Sequence, residues 1–178
     1  KMKNDFYGTV ASLVYNDRKG LEAAFGGGWN KYDGDHYGNI VGVPSYEYYR
    51  NNAKKTDFNV YGKVNYVFVR GLNAFVDLQY RHIGYKLQDP TDTYGSNLTN
   101  EYIINETFDF FNPKFGLNYD ITSHHKVYAS YAIAHKEPVR NNYEDNLGLD
   151  IRAERLNDLE VGYKFQSQHF SAGANLYW

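Results

Sequence analysis

The sequence predicts an all-β protein, an antiparallel up-and-down transmembrane β-barrel segment of about eight long strands, with short turns at one end and long loops at the other. Three observations lead there. Period-2 alternation recurs along the chain, while no long stretch keeps the 3.6-residue period of a helix. Several alternating runs last 10–14 residues, against about 5–6 for a usual strand and roughly 9–11 for a tilted strand that crosses a bilayer. Short and long connections alternate strictly, which gathers all the short turns at one end of the sheet.

The elements follow in chain order. Residues 5–15 and 21–31 are the less regular first pair, joined by Asn16-Asp17-Arg18-Lys19-Gly20. Residues 57–69 set Phe58, Val60, Val64, Tyr66 and Phe68 against Asn59, Lys63 and Asn65. Arg70-Gly71 then leads into 72–84, with Leu72, Ala74, Val76, Leu78 and Tyr80 on one face and Asp77, Gln79 and Arg81 on the other. In 108–121, Phe111, Phe115, Leu117, Tyr119 and Ile121 oppose Asn112, Lys114 and Asn118. Thr122-Ser123-His124-His125 connects this run to a weaker one at 126–135. In 156–166, Leu159, Val161, Tyr163 and Phe165 oppose Glu160, Lys164 and Gln166. After Ser167-Gln168-His169, Phe170, Ala172, Ala174, Leu176 and Trp178 alternate with Ser171, Gly173, Asn175 and Tyr177. The long polar connections are expected at about 32–53, 88–105 and 136–155. Pro113 sits inside a good strand, where it removes a ladder donor, and is expected to mark where that strand leaves the bilayer.

Composition narrows the function. The 178 residues amount to one domain, and they are read throughout as part of a single outer-membrane barrel domain. A net charge of −2 and a pI near 6.3 oppose a nucleic-acid partner. An aromatic content of 18%, with 19 Tyr, opposes disorder. With no cysteine, thiol catalysis, disulfides and Cys-ligated zinc are excluded. No run approaches the roughly 18 apolar residues of a membrane helix, and a mean hydropathy of −0.68 does not oppose barrel strands, whose alternation averages to polar. The apolar faces carry no Lys, Arg, Asp or Glu. In lipid every backbone N–H and C=O must pair, so such a sheet must close. The opening KMKNDFYG lacks the pattern of a signal peptide, and FSAGANLYW stops inside an alternating run, so the chain is expected to be a mature or cut piece of something larger.

The second half carries a resemblance. FNPKFGLNYDIT (110–121), KVYASYAIAHKEP (126–138), AERLNDLEVGYKF (153–165) and FSAGANLYW (170–178) follow one another in that order. The positions that carry it are Pro113, Tyr128 to Tyr131, Pro138, Glu154, Leu156, Glu160, Gly162, Tyr163 and Lys164. This segment resembles the barrel of TonB-dependent outer-membrane transporters. Residues 1–105 fit the architecture with weaker motifs, Gly26-Gly27-Gly28-Trp29 and Tyr32-Asp33-Gly34-Asp35. The resemblance implies location in the bacterial outer membrane and TonB-coupled import of a scarce nutrient such as a ferric siderophore, haem, cobalamin or a glycan. It also implies partners: membrane lipid, the energy-coupling system acting through a plug domain that this chain does not contain, a small nutrient ligand, and a surface lipoprotein as a further candidate. Family barrels are 22-stranded, so the chain would supply a contiguous block of hairpins. The alternatives are a complete eight-stranded barrel of structural or adhesive role, filled by its own side chains, and a soluble β-sandwich binding module.

No catalytic or cofactor motif stands out, and the chain is read as a non-enzyme without a resident cofactor or metal. Trp29, Tyr32, Tyr37, Tyr46, Tyr48 and Tyr49, with His135, are the candidate ligand contacts at the long-loop end, against an interfacial aromatic girdle. Lys63, Asp77, Arg81, Lys114, Glu160 and Lys164 are expected to face the lumen, pairing with one another or meeting a plug or ligand. His36, His82 and His135 are weak metal or haem candidates, and Asp33, Asp35 and Asp92 are weak Ca²⁺ candidates. His82 and Ser96 are the nearest approach to a catalytic pair, while His124 and His125 are expected to be solvated in a turn.

Overall fold

The computed structural model describes residues 1–88, 102–144, 146 and 149–178; for 43–46, 48–49, 102–103 and 144 it describes the backbone only. Eight antiparallel strands form one sheet in simple sequence order. They are β1 (Met2–Asn16), β2 (Leu21–Ile40), β3 (Val43–Val69), β4 (Leu72–Gln88), β5 (Tyr102–Asp120), β6 (His125–Lys136), β7 (Glu154–Gln166) and β8 (Ser171–Tyr177). A single turn of helix, α1 (Arg140–Glu144), lies between β6 and β7. The short turns fall where the sequence places them. The first is tied by Asp17, whose Oδ1 accepts from the N–H of Lys19 at 2.7 Å and of Leu21 at 2.9 Å. Arg18 within it takes φ 58° and Gly71 in the second takes φ 88°, the left-handed region.

Residues 32–53 are not the long polar loop that the sequence suggests. β2 and β3 run on as a paired hairpin, Asp33 opposite Lys54 and Tyr37 opposite Arg50, up to a tight turn whose Gly42 takes φ 90°. Charged and polar residues on the outer face, Asp33, Asp35, Arg50, Asn52 and Lys54, erased the alternation there.

The ladder assigns every side chain a face. Tyr15, Ala23, Val64, Val76, Phe115, Tyr131 and Leu159 form one continuous row across seven strands. Leu13, Phe25, Leu78 and Phe111 share its face, which is apolar and exposed. On the other face Lys63 lies opposite Asp77 and Asp77 opposite Lys114.

That polar wall is flattened by aromatics laid over glycines. A Cβ on Gly26 would meet Tyr61 Oη at 2.6 Å, one on Gly116 would meet Phe75 Cε1 at 2.7 Å, and one on Gly162 would meet Tyr128 Cε1 at 2.2 Å. Each aromatic thus covers the backbone of an adjacent strand, the pairing that compensates glycine in curved sheets.

Pairing between β5 and β6 runs only from Asp120–Lys126 to Lys114–Ala132, although β4–β5 and β6–β7 both continue beyond that level. The ladder stops next to Pro113, which brings no N–H. The Asn112 side chain takes over, its Oδ1 accepting from the His135 N–H at 3.0 Å. Pro113 therefore marks where two neighbouring strands separate.

Among the described residues β1 pairs only with β2 and β8 only with β7, and there is one sheet. This architecture is neither a self-closed eight-stranded barrel nor a two-sheet sandwich. Closure in lipid takes strands beyond these eight.

Candidate functional site

The apolar face sets the position of the membrane. On β4 its five positions, Leu72, Ala74, Val76, Leu78 and Tyr80, are followed toward the long-loop end by His82. On β2 the run Leu21, Ala23, Phe25, Gly27, Trp29 is followed by Lys31, Asp33 and Asp35. Trp29 pairs with Phe58 across β3 and meets Tyr7 edge-on at 5.8 Å, so aromatics line the upper border of the band. Above that border the same face turns polar. Asn52 Nδ2 donates to Asp33 Oδ1 at 2.7 Å and to Asp35 Oδ1 at 2.8 Å, and Arg50 bridges Asp35 and Glu47 at 2.7 Å each. The upper hairpin thus stands clear of the hydrocarbon.

The opposite face is the inner wall. Six charged residues singled out from the sequence share it, and their partners differ. Arg81 holds Asp57 and Glu137, Glu160 accepts from the Tyr128 hydroxyl at 2.7 Å, and Lys114 Nζ lies 5.9 Å from the Phe75 ring centre. Lys63, Asp77 and Lys164 make no ion pair with one another among the described residues. An asparagine ladder crosses the same wall. Asn118 donates to Asn73 at 3.2 Å and Asn73 to Asn65 at 2.6 Å. A concavity of about 660 Å³ opens there between Val14, Glu22, Lys63, Phe75, Asp77 and Lys114.

Near its upper end this wall is covered. The segment after β6 folds back across the inner face as a strap. Tyr143, 4% exposed, stacks on Tyr85 at 5.9 Å and donates to Glu106 Oε2 at 3.2 Å. Arg140 Nη1 donates to Asn51 Oδ1 at 2.7 Å. The strap and wall together bury Ala53, Tyr85, Leu87 and Tyr143, with Tyr32, Ile104, Phe108 and Ile151 packed around them. Burial and the neighbouring Glu106 carboxylate push the Tyr143 phenol well above its ordinary pKa.

The strap begins at Glu137, which is 9% exposed. Its carboxylate bonds Lys55 Nζ and accepts from Arg81 Nη1 at 3.0 Å, while Arg81 Nε donates to Asp57 Oδ2 at 2.9 Å. Burial alone would raise the Glu137 pKa, but the Lys55 hydrogen bond, with the charges of Lys55 and Arg81, holds it below the ordinary carboxylate value. Two cations and two anions thus close into a neutral set. Asp57 and Glu137 are the buried members, and either one unpaired would carry a large desolvation cost.

The remaining candidates are dispersed. On β2, Trp29 and Tyr37 point to the outer face and Tyr32 to the inner one, and Tyr37 lies under the Arg50 guanidinium at 4.5 Å. The side chains of Tyr46, Tyr48 and Tyr49 lie outside the described residues, as do Asp92 and Ser96. His135 stacks on Phe110 at 5.3 Å, and His82 Nδ1 is 2.7 Å from Asp109, with Tyr80 on the same carboxylate. No group of three or more His, Cys, Asp or Glu is disposed to hold a metal ion among the described residues. At the short-turn end His125 contacts the Tyr163 hydroxyl at 2.6 Å. Glu137, Lys55, Asp57, Arg140 and Tyr143 were not singled out from sequence. The one local sign was EP at 137–138, just past a strand end.

Comparison with known proteins agrees with this geometry. The family model described as TonB dependent receptor-like, beta-barrel, matches residues 1–178. No curated protein sequence matches the chain. Among solved structures, the ferric-catecholate import receptor Fiu from E. coli K12 superposes with a TM-score of 0.68 at 18% identity, over 99% of this chain and 31% of that one. The copper transporter OprC superposes with a TM-score of 0.76 at 13% identity, over 99% and 30%. The ferric yersiniabactin uptake receptor FyuA from Yersinia pestis gives 0.65 at 15% identity, over 99% and 28%. The chain therefore spans about 30% of the length of these structures, and at such identities the likeness is one of fold. With an apolar outer band, a polar inner wall, an open strand order and the match over its full length, the chain belongs to the TonB dependent receptor-like β-barrel family of bacterial outer-membrane proteins.

Proposed function

We propose that this sheet is part of the wall of an outer-membrane receptor that imports a scarce nutrient with energy supplied through a TonB-type system. The plug that such coupling requires would lie in the rest of the polypeptide. The observation that carries the reading is the inner wall: a polar surface narrowed at its outward end by a strap docked on Lys55, Arg81 and Tyr85. A barrel serving only as structure gains nothing from a wet wall and an inward-folded segment. We assign the ligand to the metal chelates, by analogy with the neighbours named as a ferric-catecholate import receptor, a ferric yersiniabactin uptake receptor and a copper transporter. The inner-wall residues Lys63, Asp77, Lys114, Glu160 and Lys164 would then border the permeation path, and Tyr32 its outer part.

Growth of a deletion strain tests this. Under iron restriction, with single ferric chelates as iron source, the full-length gene should restore growth on at least one chelate, and only when the energy-coupling protein is intact. Restoration without the coupling protein would remove the energy-coupled reading. Equal growth of deleted and complemented strains on every iron and copper chelate, with a difference on haem, cobalamin or a glycan, would move the ligand class.

A further inference from the structure

Glu137 occupies a position that a diffusing anion could fill. Its two oxygens take three donors from the wall: Lys55 Nζ and Arg81 Nη2, at 3.3 Å, on Oε1, and Arg81 Nη1, at 3.0 Å, on Oε2. Asp57 holds the other edge of the Arg81 guanidinium through one oxygen. Its second oxygen is buried without a protein partner among the described residues. Without Glu137, Lys55 and Arg81 keep one directly bonded carboxylate, Asp57, and these three carry one net positive charge, with Glu106 on the far side of Tyr85. The floor around them is aromatic, since Tyr85 stands between Lys55 and Glu106 in the ladder and Tyr32 and Phe108 pack beside it. Two cations beside aromatic rings suit an anion that itself carries rings or a flat apolar part.

The strap that brings Glu137 there has few other anchors. Past Pro138 the described ones are the Arg140–Asn51 bond, Tyr143, with its stacking on Tyr85 and its bond to Glu106, and Ile151 packed beside them. Tyr143 and Glu137 thus cover the aromatic floor and the cation pair from the same short segment.

We propose that Glu137 is a tethered competitor: an anionic, ring-bearing metal chelate displaces its carboxylate from Lys55 and Arg81, so that capture at the wall and release of the strap are one exchange. The inference rests on the uptake reading and names its ligand chemistry and its gate. It follows that the apparent affinity is lowered by the fraction of receptors whose strap is docked. The exchange costs little electrostatically, because one anion replaces another and the half-buried cations are never left bare.

The test uses the full-length receptor in detergent and two probes, anionic ferric tris-catecholate and uncharged ferric tris-acetohydroxamate. Glu137→Gln keeps the side-chain shape and removes the charge. It should tighten binding of the anionic probe about tenfold or more and leave the uncharged probe unchanged, while Lys55→Gln weakens the anionic probe. In hydrogen exchange, amides of 139–143 should open faster in Glu137→Gln without any ligand, and faster in the wild type when the anionic probe is saturating. Unchanged or weaker anionic binding in Glu137→Gln, no anionic binding by either protein, or a strap that becomes more protected on binding would each overturn the proposal. The ligand-free exchange and the growth assay separate the two readings. Growth restored on an iron chelate with no exchange effect defeats the tethered competitor alone, and a mobile strap with no uptake defeats the import reading.

Discussion

Placing arginine at neighbouring positions of β4 tests the two faces of the sheet directly. Val76 is the third of five outward positions, between Val64 on β3 and Phe115 on β5. From Leu72 to Tyr80 the strand rises about 26 Å at roughly 3.3 Å per residue, so Val76 lies about 13 Å from either border of the band before tilt is counted. Arginine at mid-bilayer costs about 2–4 kcal/mol, falling to about 0–1 near the interface. Val76→Arg should therefore destabilise the full-length receptor by about 2–4 kcal/mol, and Leu72→Arg by about 1 or less. Gln79→Arg lies on the inner wall. Gln79 Oε1 accepts from Asn112 Nδ2 at 3.1 Å, so its loss should cost about 1 kcal/mol, the worth of one hydrogen bond. Reversible guanidinium unfolding in lipid vesicles, followed by tryptophan emission, reads all three. The order Val76 worst, then Gln79 and Leu72 close together, is the expectation. Equal costs at Val76 and Gln79 would refute the division into lipid and lumen faces, and a flat profile from Leu72 to Val76 would refute the depth.

Three further outcomes are expected. Gly162→Ala should cost about 1–3 kcal/mol in the same unfolding assay, because the added methyl strikes the Tyr128 ring and drives its hydroxyl from Glu160 and Asn175; a neutral result would mean that the ring swings aside freely. Asp17→Ala removes the acceptor for two turn N–H groups and should cost about 0.5–2 kcal/mol, by analogy with lost caps, with no change in ligand binding. Glu137 has its folded pKa lowered below the ordinary 4.5. Its contribution to strap docking is therefore complete above that unfolded value and is lost as pH falls through the lowered one. Limited proteolysis by pepsin, stepped from pH 5 downward, should begin to cut within 139–144 only below about 4.5. Early cleavage at pH 5, or none at any lower pH, would contradict the assignment.

Much of this molecule was legible in its sequence because a bilayer imposes a local rule. A strand with lipid on one side and water on the other must alternate, and that alternation identified β3, β4, β5, β7 and β8, the turns between them, and the face of residues such as Lys63 and Val76. The rule lapses where the outer face leaves the lipid. Asp33, Asp35, Asn52 and Lys54 belong to an extended hairpin, yet their polarity reads as loop because no apolar run marks the outer side. Pro113 stands out in the sequence, but its effect depends on β6, the strand it fails to bond, and on Asn112 taking over.

The strap shows the limit most clearly. Lys55 and Glu137 are separated by 82 positions and Arg81 and Glu137 by 56. No period or spacing links such residues, since the loop between them is free to go anywhere until the sheet exists to receive it. The same holds for Tyr128 over Gly162 and Phe75 over Gly116, where register alone brings ring to glycine. Sequence by itself determined the membrane-level strands and their two faces, because those follow from the solvent around each residue. Only the tertiary structure decided the open strand order, the inward strap and the charge set beneath it, because those depend on which distant residues the completed ladder sets side by side.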